Sequence, residues 1–213
     1  MMARPKKKGK KHQNRSLMAR SDIPYAQRLK MKHQSDIEYN REHSAKVYMY
    51  CLCKTLHEEE GIGYKRLVQF SLAFMELIKE FYADPEVGMA HVKQRLAQHG
   101  IEVSGEFFSV KLPGATEKEQ EIHDHSLQAV QAAQLVGAVA MNDVFGFGQM
   151  RQDRLREAVQ RNTSRYAKEG KGFLLEAMEK IGFAVQGNNV RAFIEEDGTP
   201  VLKSRVMKEG FAK

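Results

Sequence analysis

The stretch Gly61-Ile62-Gly63, followed by Arg66, returns later in the chain as Gly146-Phe147-Gly148, followed by Arg151. Downstream, Gly100-Ile101-Glu102-Val103-Ser104-Gly105 returns as Gly182-Phe183-Ala184-Val185-Gln186-Gly187. The first pair is offset by 85 residues and the second by 82, so one short gap brings both into register. Two motifs in the same order at nearly the same offset read as a tandem duplication of a unit of about 80 residues, and a repeated chain is interpreted unit by unit.

The spacing of apolar residues on either side of each glycine turn is helical. Tyr48, Cys51, Leu52, Thr55 and Leu56 form a stripe ahead of Gly61, and Leu67, Phe70, Phe74, Leu77, Ile78 and Phe81 form another after Gly63. Asp84-Pro85-Glu86 stops that helix, and a third, over 87–99, ends at Gly100. Ser21-Asp22-Ile23-Pro24 looks like a helix entry, and the stretch from there to Glu60 reads as helix in two parts, the first highly charged and solvated. The second unit repeats the scheme. Leu127, Val130, Ala133, Gly137 and Met141 precede the turn, a helix over 149–168 carries only Leu155, Val159 and Tyr166, and a third contains Phe173, Leu174, Met178 and Ile181. Short strands are expected at 101–103 with 107–111, and at 190–194 with 201–202 across Asp197-Gly198. The expected fold is therefore mainly α: two tandem α-helical units of about three helices each, with short β-strands or a hairpin closing each unit. A basic tail over 1–20 precedes unit one at 21–114, and unit two at 115–213 follows the linker Leu112-Pro113-Gly114-Ala115-Thr116.

The 213 residues carry a formal charge of +7, but its distribution says more than its total. Arg4, Lys6, Lys7, Lys8, Lys10, Lys11, Arg15 and Arg20 place eight cations in the first 20 positions with no acid among them. Removing them from the 34 Lys and Arg leaves 26 against 27 Asp and Glu, so the body is close to neutral. Such a tail cannot bury apolar surface and repels itself, which predicts disorder until an anion neutralises it. Phosphates of DNA or RNA are its natural counterparts, because neutralising them releases condensed counterions. Solubility, an acidic protein partner or a nuclear-localisation run are the alternatives for the same lysines. The segment lacks the apolar run of a secretory signal, and no stretch is apolar for long enough to cross a membrane, so the expected location is the cytoplasm with no membrane partner. Cys51 and Cys53 are two apart on a helix and cannot readily bridge each other, which fits a reducing compartment.

The units differ in charge as well. Over 149–168 the helix carries Arg151, Arg154, Arg156, Arg161, Arg165 and Lys168 against Asp153 and Glu157, an excess of four, with Gln149, Gln152, Gln160 and Asn162 as amides. Amides and arginines on one helix can reach phosphates, sugars or base edges. Arg151, Arg154, Arg161 and Arg165 join Arg4, Lys6, Lys7, Lys8, Lys10, Lys11 and Arg15 as the candidate nucleic-acid contacts. The bland alternative is a solvent-facing helix.

The glycine turns do not read as nucleotide loops, because a helix rather than a strand precedes them and Arg66 or Arg151 stands where the third glycine would be. They read as structural corners built on Gly61, Gly63, Gly146 and Gly148, with Ile62 or Phe147 plugging the core and Arg66 or Arg151 tying the helix start to an acid or a carbonyl end. Phe145-Gly146-Phe147-Gly148, closing one helix and opening a basic one, together with Gly182-Phe183 and the basic amino terminus, resembles small proteins of phages and prophages of Gram-positive bacteria. In the first unit the match holds only in outline, since Glu60 stands in place of the first phenylalanine. The resemblance implies a mobile-element origin and no particular chemistry.

Histidines raise a metal hypothesis through His123-Asp124-His125 and through Cys53 with His57, which share a helix face. Neither group supplies four ligands, and no C-x-x-C, H-E-x-x-H, G-x-S-x-G or phosphate-loop pattern is present. No catalytic residue, metal ligand or cofactor is assigned. The sequence is read as a non-enzymatic, phage-type accessory protein that associates with nucleic acid, or with a nucleic-acid machine of the host, through its tail and the basic helix. One alternative is an inhibitor or adaptor gripping a host protein such as a defence nuclease or polymerase. Another is a metal-dependent enzyme centred on His123, His125 or His57.

Overall fold

The computed structural model describes residues 24–103, 111–187, 189–194 and 199–201. Among them the chain is mainly helical, with six helices and one two-stranded antiparallel sheet. The helices are α1 (Tyr25–Glu60), α2 (Tyr64–Ala83), α3 (Pro85–Gln98), α4 (Glu117–Phe145), α5 (Gln149–Glu169) and α6 (Gly172–Ile181). The strands are β1 (Ala184–Gln186) and β2 (Asn189–Arg191), with Val185 opposite Val190.

The two glycine corners have the same shape. Gly61 ends α1 at φ 64°, ψ 21° and Gly146 ends α4 at φ 69°, ψ 27°, the left-handed conformation that costs glycine least. Each closes the same pair of bonds: Gly61 N–H donates to the His57 carbonyl and Ile62 N–H to that of Leu56, as Gly146 does to Asn142 and Phe147 to Met141. Gly63 and Gly148 are both extended, at φ −80°, and the next residue starts a helix. Ile62 and Phe147, between the glycines, are buried. The third helix of each unit also ends alike, with Ile101 N–H on the Leu96 carbonyl and Phe183 N–H on that of Met178.

The packing is reciprocal. α1 and α4 form the most extensive contact and run parallel, since His33 meets Glu121 near their starts and Leu52 meets Gly137 further along. α2 and α3 of the first unit pack against α4 of the second, while α5 and α6 of the second pack against α1 of the first. The residues that hold the segment after each third helix follow the same exchange. Tyr64, at the start of α2, accepts from Phe193 N–H at 2.9 Å and packs edge-on against Phe183. Gln149, its equivalent at the start of α5, accepts from Glu102 N–H at 2.6 Å and donates to the Glu102 carbonyl at 3.2 Å. Buried residues of both halves therefore belong to one hydrophobic core.

At the centre of the α1–α4 contact, Leu52 and Gly137 occupy equivalent positions in the repeat and touch each other. A Cβ added at Gly137 would lie 2.7 Å from Leu52 Cδ1. The large residue of one copy fills the space left by the small residue of the other.

Three expectations need correction. The stretch expected as two helical parts is one uninterrupted helix of 36 residues. Its charged first half is held by Ile37 in the core, by the 2.6 Å His33–Glu121 contact and by Arg41 stacked over the Tyr82 ring. The strand expected at 190–194 is split: 189–191 pairs back on 184–186 through a hairpin at Gly187, while only its end pairs across Asp197-Gly198, by the antiparallel bridge of Ile194 to Pro200 and by Val201 N–H on the Phe193 carbonyl, with Asp197 and Gly198 outside the described residues. Ile101–Val103 form no strand among the described residues, and the partner expected for them at 107–111 lies mostly outside those residues.

Gly137→Leu should destabilise the fold by about 1–3 kcal/mol through overpacking, and Leu52→Ala by about 2–5 kcal/mol through the cavity it leaves. The double variant should be markedly more stable in urea denaturation than the sum of the two predicts. A specific protease site inserted between residues 112 and 116 should leave two cleaved fragments that co-elute as one folded particle, because each supplies the other's second and third helices.

Candidate nucleic-acid interface

The corner arginines show how the two units recognise each other. Arg66, on α2, places its guanidinium 4.9 Å from the centre of the Phe145 ring, the last residue of α4. Arg151, its equivalent on α5, reaches Glu60, the last residue of α1, with its Nε 2.8 Å from Oε2, and also stacks 4.0 Å over its neighbour Phe147. Glu60 and Phe145 are equivalent positions. One arginine thus meets a carboxylate and the other a π-face, both of which attract a cation.

Glu60 receives a second arginine as well, Arg154 at 2.5 Å, and its own side chain is only 4% exposed. The hydrogen bond from Arg151, reinforced by Arg154, holds its carboxyl below the usual carboxylate range despite the opposing effect of burial. Along the same groove Arg161 pairs with Glu59 at 3.2 Å, and Asn162 donates to the Thr55 hydroxyl at 2.9 Å. Lys54 pairs with Glu58 on α1, and the pKa of Arg165 is raised chiefly by its hydrogen bond to Glu169, with a smaller contribution from Glu58. Arg156 and Arg165 pair within α5, with Asp153 and Glu169.

α5 therefore carries six cations against Asp153, Glu157 and Glu169, and the excess of three is matched by Glu58, Glu59 and Glu60 at the end of α1. Arg151, Arg154, Arg161 and Arg165 all stand on one exposed helix, and each has a carboxylate partner. Their outward faces remain open, with Arg154 69% and Arg161 66% exposed. Such arms can touch a phosphate only by sharing their charge with an acid. Lys30 and Lys32, on the first turns of α1, differ: both are exposed, and among the described residues neither makes an ion pair. They continue the cationic run of the amino terminus onto an ordered helix, a continuity that sequence reading missed because those turns look like a mixed-charge segment. Arg4, Lys6, Lys7, Lys8, Lys10, Lys11 and Arg15 lie outside the described residues.

The residues behind the metal hypothesis do not converge. Cys53 Sγ lies 3.5 Å from Ser71 Oγ, and burial pushes its thiol up to about 12. His57 turns instead to the Ile62 carbonyl at 3.0 Å, bracing the first glycine corner. His123 and His125 stand early on α4, and among the described residues no group of three or more His, Cys, Asp or Glu side chains is placed to hold a metal ion. No helix of the described residues is long and apolar enough to cross a membrane.

Glu60→Gln should lower stability by about 1 kcal/mol at pH 7, since its partners are half-exposed and solvent screens part of the attraction. Because the folded pKa of Glu60 is depressed, its contribution is present above the unfolded value near 4.3 and is lost as pH falls through the lower folded value. Denaturation of the variant across that acid window should accordingly show a shallower pH dependence than the parent. Comparison of the chain with known protein families, with curated proteins and with solved structures finds no match in any of the three.

Proposed function

We propose that this is a non-enzymatic, phage-type accessory protein that associates with nucleic acid, and that the amino-terminal cationic segment with the first turns of α1 supplies most of the attraction. The observation that carries the reading is the segregation of charge. Eight cations without an acid stand in the first 20 residues, and Lys30 and Lys32 extend them, exposed, onto α1. The competing basic surface on α5 is neutralised by the glutamates at the end of α1. Unpaired cations release counterions from a polyphosphate, whereas paired ones must first give up an acid. The α5 arginines then act as secondary contacts that orient the body once the tail has engaged.

Deleting residues 1–20 should abolish most binding to both DNA and RNA in fluorescence anisotropy. For the full chain, contact with about six phosphates should weaken affinity roughly a thousandfold between 50 and 200 mM salt. Arg154→Ala or Arg161→Ala should each change affinity only a few fold. Absence of any salt-sensitive binding by the full chain, with a protein partner retained after tail deletion, would favour the inhibitor or adaptor reading instead.

A further inference from the structure

The repeat gives the protein two equivalent clefts, one between α1 and α2 and one between α4 and α5, and three of four matching positions are more polar in the second. The first cleft, about 150 Å³, is lined by Met49, Cys53, Ser71 and Met75 and is covered by Phe183, Val190 and Ala192 from the end of the second unit. The second, about 350 Å³, has Gln134, Ala138, Arg156 and Gln160 at those same four positions. Each methionine of the first cleft is matched by a glutamine in the second and the serine by an arginine. The larger volume falls within the ~300–1,000 Å³ in which small-ligand sites occur.

Deeper in the second cleft, Gln152 replaces the apolar Leu67 of the first unit. Gln152 is 7% exposed, and its amide nitrogen donates to the carbonyls of Ala138, at 3.0 Å, and Phe147, at 2.8 Å. Both amide hydrogens are thereby used, so the hydrogen-bonding group this amide still offers is its acceptor oxygen. Leu52, Leu155 and Val159 supply apolar walls around it. Tyr48 also lines the cleft, and burial raises its pKa, so its hydroxyl stays protonated and can donate or accept. Arg156, about half exposed, is held by Asp153 at 2.7 Å.

Apolar walls, three glutamine amides and an arginine suit a flat heterocycle with hydrogen-bonding edges and an attached phosphate. We infer that the cleft between α4 and α5 receives an unpaired nucleobase, with its phosphate on Arg156. This inference rests on the proposed association with nucleic acid and deepens it: the tail supplies attraction without selectivity, and the cleft selects single-stranded or terminal nucleotides over duplex. The sister cleft, with methionines and a cysteine, keeps the apolar lining.

The test installs the sister residues in the full chain as Gln134→Met, Arg156→Ser and Gln160→Met together, side chains that already line an equivalent cleft in the same fold. Two probes are used: nucleoside monophosphates followed by ligand-observed NMR, and one oligonucleotide presented as a single strand and as a duplex in anisotropy. The parent should bind the monophosphates and prefer the single strand. The triple variant should lose both, with single-strand affinity falling about tenfold and duplex binding falling only by the few fold expected for loss of any one α5 arginine, its salt slope retained. If the triple variant does not fold, Gln160→Met alone, at an exposed position, should weaken monophosphate binding with the same sign. Monophosphate binding without salt-sensitive binding to either polymer would remove the proposed function and leave the cleft assignment standing. A parent that binds no monophosphate and shows no single-strand preference overturns the inference, as does a folded variant that binds like the parent.

Discussion

The fold depends on the contact between α1 and α4, two long parallel helices at equivalent positions in the repeat. Neither has its own unit's second helix as its chief neighbour. α4 is covered by α2 and α3, and α1 by α5 and α6, so the apolar stripe of each second helix is buried only when both units are present. This explains why α5 can be so poor in apolar residues. Leu155, Ala158 and Val159 suffice because the remaining attachment to α1 is polar, made by Arg151, Arg154, Arg161 and Asn162 against Glu60, Glu59 and Thr55. α2 performs the matching task with Phe70, Phe74, Leu77 and Phe81. One architecture is thus held on one side by apolar burial and on the other by ion pairs, and the charge on α5 is in large part structural.

That double use of arginine bears on function. Guanidiniums engaged by carboxylates contribute less to a phosphate surface than their number suggests, whereas the eight cations of the first 20 residues have no acid among them. The proposed division of labour follows: long-range attraction at one end of the chain, and selection in a cleft whose lining is more polar than that of its counterpart in the other half.

The helices, the corners and the repeat were legible in the sequence because each leaves a local signature. Gly61 and Gly146 mark left-handed helix ends, and Asp84-Pro85 marks a boundary where the Asp84 carboxylate caps α3 by accepting from Val87 N–H, whereas the capping box of Thr116 with Glu119 at the start of α4 was passed over as linker. Arg151 was read as reaching for an acid, and it does; Arg66 instead found Phe145, a partner no local pattern announces. The reciprocal packing was not legible, since periodicity tells which face of a helix is buried and not which helix buries it. The pairing of the α5 arginines with 58–60 was hidden for the same reason, lying about 90–100 residues away in sequence. The hairpin at Gly187 was missed because Asp197-Gly198 is the stronger turn signal in the same stretch.

The unequal pair at the centre of the helix contact also bears on how separate molecules treat each other. An exchanged architecture invites two chains to trade halves. If two first halves met, they would bring leucine against leucine at residue 52, with no glycine to receive either side chain; two second halves would set glycine against glycine and leave a void. Bump and hollow fit only when the halves are unlike, so the asymmetry that crept into the repeat acts as a lock favouring mixed pairing, and the tether between the halves makes the nearest unlike partner the one in the same polypeptide.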